Sequence, residues 1–411
     1  LARRAPGQSV PEKQGLFSAL QRYPAFRQLW FGSLLGQLAQ WMQSVALGWI
    51  ALELTDSAFF VGIVSFMAGI PFIVVAIPAG IMIDRFDRRK VLLSCQAAAA
   101  VLAIIVAADI LSGFVEPWHL LVAAFLNGSL LSIMTPTQQA LTPSLVARED
   151  LTNAIGLTSA GNNMARIFGP SLAGLVIGFS STGIAFLMQA TALVVAFFLI
   201  ARARFPERQR TTTVKPAAAL DGLSYILRRD DLRVLFILAF IPTFFTFPYI
   251  QFLNVFAVDI LHIGAARLGI MMATSGVGAV TGSLIVAGRR SSTAQGPLLF
   301  ALTVIYGVVI LVLSAVRIFP LTLPLLFMGG VLGAMFMSQN NALVQHRISD
   351  EMRGRVLGAY MLNQGLLPLG ALPMGIIAGA SSVPIAMAVG ASLTVVATVL
   401  LAVVSPAWRT L

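Results

Sequence analysis

The 411-residue chain has one cysteine, three histidines and sixteen acidic residues. With Cys95 alone, an internal disulfide and a thiolate metal cluster are both excluded. His119, His262 and His346 are scattered along the chain without metal-ligand spacing, so no metal site is expected. Charged residues make up 10% of the chain against 58% apolar, and the mean hydropathy is +0.88. So little polar surface cannot cover a water-soluble globule of this length, and the chain belongs in a bilayer. The sequence shows no set of nucleophile, base and orienting group, no Walker loop for phosphate and no sizeable soluble stretch. An enzyme, ATP-driven transport by this chain alone and a cofactor are therefore not expected.

What is present is a series of long apolar runs near 28–53, 58–82, 91–112, 117–141, 153–178, 182–201, 232–258, 267–288, 297–316, 321–345, 355–379 and 383–404. Each is about 20 residues or more, the length a spanning helix requires. They are continuous and rich in Leu, Ala and Val, unlike the short alternating segments of a membrane β-barrel. The first run starts late and is full-length, so it reads as a membrane helix and not as a cleavable signal. The expectation is an all-α membrane protein with twelve transmembrane helices.

The net charge of +11 would suggest nucleic acid in a soluble protein. Here its placement has another cause. If the N-terminus is cytoplasmic, every Lys and Arg except Arg166, Arg267 and Arg317 falls in a cytoplasmic segment. The positive-inside rule then puts both termini in the cytoplasm, and nucleic acid is not an expected partner. Arginine outnumbers lysine 24 to 3, which points to a GC-rich bacterial genome and so to a bacterial cytoplasmic membrane.

The chain also repeats itself at an offset of 202 residues. Residues 128–156 laid on 330–358 pair Gly128 with Gly330, Ala140 with Ala342, Leu141 with Leu343, Glu149 with Glu351 and Gly156 with Gly358. A parallel repeat in an apolar chain implies two pseudo-symmetric six-helix bundles around one cavity. The expected organisation is a cytoplasmic segment 1–27, a first bundle 28–201, a basic linker 202–231, a second bundle 232–405 and a cytoplasmic tail 406–411. Phe17 to Phe26 reads as a short amphipathic segment on the membrane face. The spacing of Leu220, Leu223, Ile226 and Leu227 suggests a short surface helix within the linker.

Between the second and third runs lies Gly80-Ile-Met-Ile-Asp84-Arg85-Phe-Asp87-Arg88-Arg89-Lys90. This resembles the loop pattern G-x-x-x-D-[RK]-x-G-R-[RK] of the major facilitator superfamily, with Asp87 where glycine is usual. The resemblance implies that Gly80, Asp84, Arg85, Arg88 and Arg89 latch the cytoplasmic ends of the two halves and release when the cavity opens inward. The repeat-related stretch Gly282 to Arg290 keeps the glycine and the bases and lacks the acid, so a single complete latch is expected. In the fifth run, Gly169-Pro170 with Gly174 partly resembles the antiporter motif of exporters in this superfamily. Arg353-Gly-Arg355 resembles a shared inner-gate sequence. Together with Arg22 to Arg27 and Trp49 to Thr55, these stretches are most similar to the bacterial branch that holds enterobactin exporters and multidrug efflux carriers.

Arg166 stands 13 residues beyond Asn153, about 20 Å along a helix at ~1.5 Å per residue, which is near mid-membrane. A charge there is costly, and it reads either as a holder of anionic substrate or as a structural partner of helix ends. Gln37, Gln40 and Ser44 share one face of the first helix; Asn127, Asn162, Asn163, Gln251, Asn254, Asn363 and Gln364 are further candidates for substrate contact or interhelical bonding. Phe240 to Phe252 crowd a seventh helix that Pro242 and Pro248 should bend. Asp109, Glu53 and Asp56 are the acidic candidates for coupling, all near the outer ends.

The implied activity is export of small amphipathic molecules, drug-like compounds or siderophores, by a monomeric secondary transporter with alternating access and proton antiport. A lipid or lysolipid flippase of the same fold, or an uncoupled metabolite facilitator, is the alternative.

Overall fold

The computed structural model describes residues 17–75, 78, 82, 85–203, 205, 224–288, 295–348, 352–405 and 408. Local sequence sets the helix ends. Tyr23 is extended and Pro24 opens α1 (Pro24–Thr55), because a proline costs nothing where the amide has no helical partner. Asp56 closes α1 in the left-handed region at φ 48°. The Ser57 hydroxyl then accepts from the Phe60 amide and caps α2 (Ala58–Gly69), which continues as the turn Pro71–Val74. Asp87 accepts from the amides of Arg89 and Lys90 and starts α3 (Arg88–Ser112), which Gly113 ends at φ 77°. Glu116 and His119 form a capping box before α4 (Pro117–Leu141). The first half ends with α5 (Leu151–Phe179) and α6 (Thr182–Arg202).

In the second half α7 begins as Asp230–Phe245 and then loses its regular winding. After Pro242 it passes through a 3-10 stretch, Phe247–Phe252, a single α turn, Leu253–Val255, and a π turn, Phe256–Ile260. Proline removes a backbone donor and clashes with the preceding turn, so the expected bend is present as a change of helix type. The remaining helices are α8 (Ala265–Gly288), α9 (Gln295–Ala315), α10 (Phe319–Arg347), α11 (Arg353–Ala380) and α12 (Val383–Val404). No strand occurs among the described residues. Eight of these helices are long and apolar enough to cross a membrane by themselves. The other four are α1 and α5, whose length is shared with polar residues, and α2 and α11, which are described only in part.

The duplication governs the packing. In the first half α1 packs on α5 and α6, α4 on α2 and α3, and α3 on α6. In the second half α7 packs on α11 and α12, α10 on α8 and α9, and α9 on α12. Gly128 of α4 lies so close to the Ala68 carbonyl of α2 that a Cβ has no room, and its repeat mate Gly330 of α10 lies the same way on Ser275 of α8.

Two main seams join the halves, α5 with α8 and α2 with α11. Each crosses on a pair of glycines. A Cβ on Gly174 would sit 2.6 Å from the Gly269 Cα, and one on Gly62 would sit 2.9 Å from the Gly375 Cα. In a membrane such close backbone approach supplies the dispersion contact that holds helices together.

Both crossings lie away from the end that carries the chain termini. At that far end one apolar core spans both halves, from Met42 and Ile50 through Phe252 and Phe256 to Met374 and Met387. At the terminus-bearing end the described core residues fall into separate clusters. Phe26, Leu29, Leu92, Leu141 and Ile200 belong to one cluster, and Leu235, Leu299, Phe336, Leu343 and Val356 to another.

The amphipathic segment before α1 is a helix over Ser18–Arg22, and it docks on protein. The Ala19 amide donates to Asn153 Oδ1 at 3.2 Å, and the Tyr23 hydroxyl donates to the fully buried Asp150 at 2.9 Å. The described part of the linker is helical over residues 224–228, with Ile226 buried and Leu227 exposed. There Arg229 donates to Asp231, to the Tyr225 hydroxyl and to the Arg347 carbonyl, tying the segment to the end of α10.

Candidate functional site

A cavity of about 400 Å³ lies between the halves, in the size range of small-molecule sites. The first half supplies Gln40, Trp41 and Ser44 from α1, Ser65 and Phe72 from α2, Asn127 from α4 and Arg166 from α5. The second half supplies Thr243, Phe247, Ile250 and Gln251 from α7, Met337 from α10 and Leu367 from α11. Ser44 donates to Gln251 Oε1 at 3.3 Å and bridges the halves across the cavity wall.

Arg166 is the charged residue of this wall. Its guanidinium carbon stands 5.6 Å from the centre of the Trp41 ring, within cation–π range. It also borders a small recess with Pro170, Met272 and Ser275. Among the described residues it has no ion pair and no hydrogen bond. Phe247 packs against Tyr306 with ring centres 5.1 Å apart, and the buried Tyr306 hydroxyl has no partner among the described residues.

Of the residues expected to face substrate, Arg166, Gln40, Asn127, Gln251 and Ser44 meet in this cavity. Gln37 and Asn163 are only partly exposed, Asn162 is exposed, and none of the three belongs to its wall. They stand nearer the terminus-bearing end. Asn254 is 3% exposed and does not line the wall either. The irregular winding of α7 turns it toward α1, where its amide nitrogen takes up the space a side chain on Gly48 would need. The side chains of Asn363, Gln364, Arg353 and Arg355 lie outside the described residues.

Gly80 and Asp84 of the latch also lie outside the described residues, while Arg85 is exposed. Arg88 donates to the Ala140 carbonyl of α4 at 3.4 Å, and Arg89 donates to the Ala201 carbonyl of α6. Those hydrogen bonds stay inside the first half. Asp87 explains its departure from glycine, because its carboxylate caps α3. Gly169 lets α5 press on Trp41 and Leu38 of α1, so it serves packing within the first half.

The coupling candidates stand apart from the cavity. Asp109 is 2.7 Å from His119 Nδ1 between α3 and α4. Glu53 and Asp56 are exposed at the far end of α1. No group of His, Cys, Asp and Glu that could hold a metal occurs among the described residues.

Sequence reasoning missed Trp41, Phe72, Thr243, Met337 and Leu367 as wall residues. Trp41 could have been found, since it lies three residues before Ser44 on the same helical face. The apolar ones carry no signal that separates cavity from lipid.

The sequence profile of the transmembrane secretion effector family matches residues 15–410. The chain belongs to that family, within the major facilitator superfamily. It is 24% identical over 348 residues to the staphyloferrin A transporter of Staphylococcus aureus, covering 83% of this chain and 86% of that one. It is 26% identical over 365 residues to the multidrug efflux pump Tap of Mycolicibacterium fortuitum, covering 84% and 86%. The crystal structure of a bacterial homologue of the iron transporter ferroportin in the inward-facing state superposes with a TM-score of 0.72 at 16% identity, covering 94% of this chain and 99% of that one. The protein is accordingly a multi-pass, efflux-type membrane transporter of small molecules and not an enzyme.

Proposed function

We propose that the chain exports small amphipathic molecules from a bacterial cytoplasm by alternating access, with residues 28–201 and 232–405 rocking as two bodies and both termini cytoplasmic. The observation that carries this reading is the division of the apolar core. Among the described residues, one cluster joins the halves at the far end, and two separate clusters serve the terminus-bearing end. A cavity sealed by the first arrangement and reached through the second is open to the cytoplasm. The positive-inside distribution of arginine supports that orientation. Arg88 and Arg89 are bonded within their own half, as a released latch requires.

Relatives named for staphyloferrin A and macrolides support siderophores and drugs as cargo classes. Proton antiport is the energy source in this reading. The described cavity wall holds no carboxylate, so in this reading the proton path is assigned to Glu53 and Asp56, the exposed acids at the far end of α1. The chain acts as a monomer in this reading, since each cavity is complete within one chain.

The test is accumulation of an uncharged amphipathic drug and of a citrate-type siderophore in everted membrane vesicles under an imposed pH gradient. Uptake above that of vesicles lacking the protein, abolished by a protonophore, is expected. Equal uptake with and without the protein for every cargo would sink the export reading; uptake indifferent to the gradient would sink proton coupling alone.

A further inference from the structure

We infer that the central cavity is a site for organic anions, in which Arg166 takes the carboxylate or phenolate of an amphipathic molecule and the aromatic wall takes its apolar body. The inference rests on the transport reading above only for the role of the cavity, since binding itself is tested without flux.

The charge inventory of the wall leads to it. Arg166 is the charged group of the cavity lining, and no described acid stands there to neutralise it. Glu53 and Asp56 are exposed beyond the cavity at the far end of α1, and Asp109 is engaged with His119. An arginine near mid-membrane is costly unless it meets a counter-charge or water. A guanidinium offers five N–H donors in a planar fork that matches a carboxylate, and here none of them has an acceptor among the described residues. An arriving anion regains the free energy that the fold left unclaimed.

The surroundings define the rest of the ligand. The Trp41 ring lies under the guanidinium, so an aromatic acid can meet both the charge and the ring. Phe72 and Phe247 provide apolar surface, while Gln40 and Asn127 offer amides for hydroxyl groups. A cationic ligand faces repulsion from Arg166 with no carboxylate to offset it. The cavity therefore selects against lipophilic cations, a cargo class that its amides and aromatic rings alone would admit.

Isothermal titration of the purified full-length protein with three probes of one shape tests this: 2-naphthoate, 2-naphthamide and 2-naphthylmethylammonium. The carboxylate is expected to bind at least about tenfold tighter than the amide, as hydrogen bonds to charged groups imply, and the ammonium weakest. Arg166→Gln should remove most of the carboxylate's advantage over the amide, and an unchanged melting temperature reports that the variant is folded. Arg166→Lys should recover part of the difference, because charge returns without the fork. The inference is overturned if the amide or ammonium binds as tightly as the carboxylate, if Arg166→Gln keeps the carboxylate's advantage, or if no probe binds. Arg166-dependent binding without movement across vesicles would instead remove the transport reading and leave the anion site standing.

Discussion

Closure of the far end depends on helices meeting backbone to backbone, and Gly174→Ala attacks that contact with one methyl group. The added Cβ would lie 2.6 Å from the Ala265 carbonyl oxygen and the Gly269 Cα, and 2.7 Å from the Gly269 nitrogen. All three are backbone atoms of α8, so no side chain can swing away to make room. Optimal carbon contacts are about 3.5–4.0 Å, which requires α5 and α8 to part by about 1 Å. Overpacking of this kind costs about 1–3 kcal/mol. The cost falls on the arrangement in which the far end is closed, and at about 1.4 kcal/mol per tenfold it shifts the conformational equilibrium about 5- to 150-fold.

Sidedness of labelling reads that shift. In a Cys95→Ser background, Ser65→Cys places a thiol on the cavity wall. An impermeant maleimide should reach it in the parent from the terminus-bearing face of sealed vesicles. With Gly174→Ala the reaction should move to the opposite face. Gly128→Ala is the control, because it strains α2 against α4 inside the first half and leaves sidedness alone. Unchanged sidedness and rate in Gly174→Ala, with an unchanged melting temperature, would refute the claim that this crossing seals the cavity.

Three further outcomes are expected. Asp87→Ala removes the cap of α3 and should lower stability by about 1 kcal/mol, while Asp87→Gly costs only a few tenths; thermal melts of the purified protein distinguish the two. Tyr23→Phe withdraws a donor from the fully buried Asp150 and should cost about 1.5–3 kcal/mol, read as a lower melting temperature. The same carboxylate raises the Tyr23 phenol above its ordinary 10.0. The contribution of this bond is therefore complete below pH 10.0 and is lost as the pH rises through the raised value, which melts in alkaline buffer would record. Asp109→Asn, bound to His119 away from the cavity, should leave the response of transport to a pH gradient unchanged; a lost response would move the proton path to α3.

How much of this was legible in the sequence follows from the kind of signal each feature leaves. Spanning helices were readable because lipid demands long apolar runs, and the two bundles because the duplication preserved Gly128 with Gly330 at a place where no larger residue fits. Arg166 was readable because an isolated charge at mid-depth is rare enough to need a reason. Amides were half readable. Gln40 and Gln251 reached the cavity, whereas Asn254 turned into the α1 interface because α7 changes winding after Pro242, and a sequence gives the bend without its rotation. The role of Asp87 was hidden by its departure from the expected glycine, since the family pattern reports what the position usually holds and not the capping it performs here.

The duplication also sharpens the chemistry of the cavity. The Gly174–Gly269 crossing is mirrored by Gly375 against Gly62, which sets α5 and α11 in equivalent places. Arg166 stands two turns before Gly174, and Leu367 stands two turns before Gly375; both line the cavity. A symmetric scaffold thus presents a cation from one half and an apolar side chain from the other at matched positions. Phe72, Phe247, Ile250 and Met337 add apolar surface from both halves, and Gln40, Ser44, Asn127, Thr243 and Gln251 add polar groups from both. Such a wall cannot be satisfied by a uniformly polar or a uniformly greasy molecule, because either leaves the polar groups or the apolar surface of the wall unmatched. Introducing Leu367→Arg would make the two sides alike in charge, and it should weaken binding of a monoanion with an apolar body, since its tail would then meet a desolvated guanidinium. Direct titration with 2-naphthoate measures this, and binding at least as tight as in the parent protein would refute the pairing of a cation at Arg166 with an apolar side chain at Leu367.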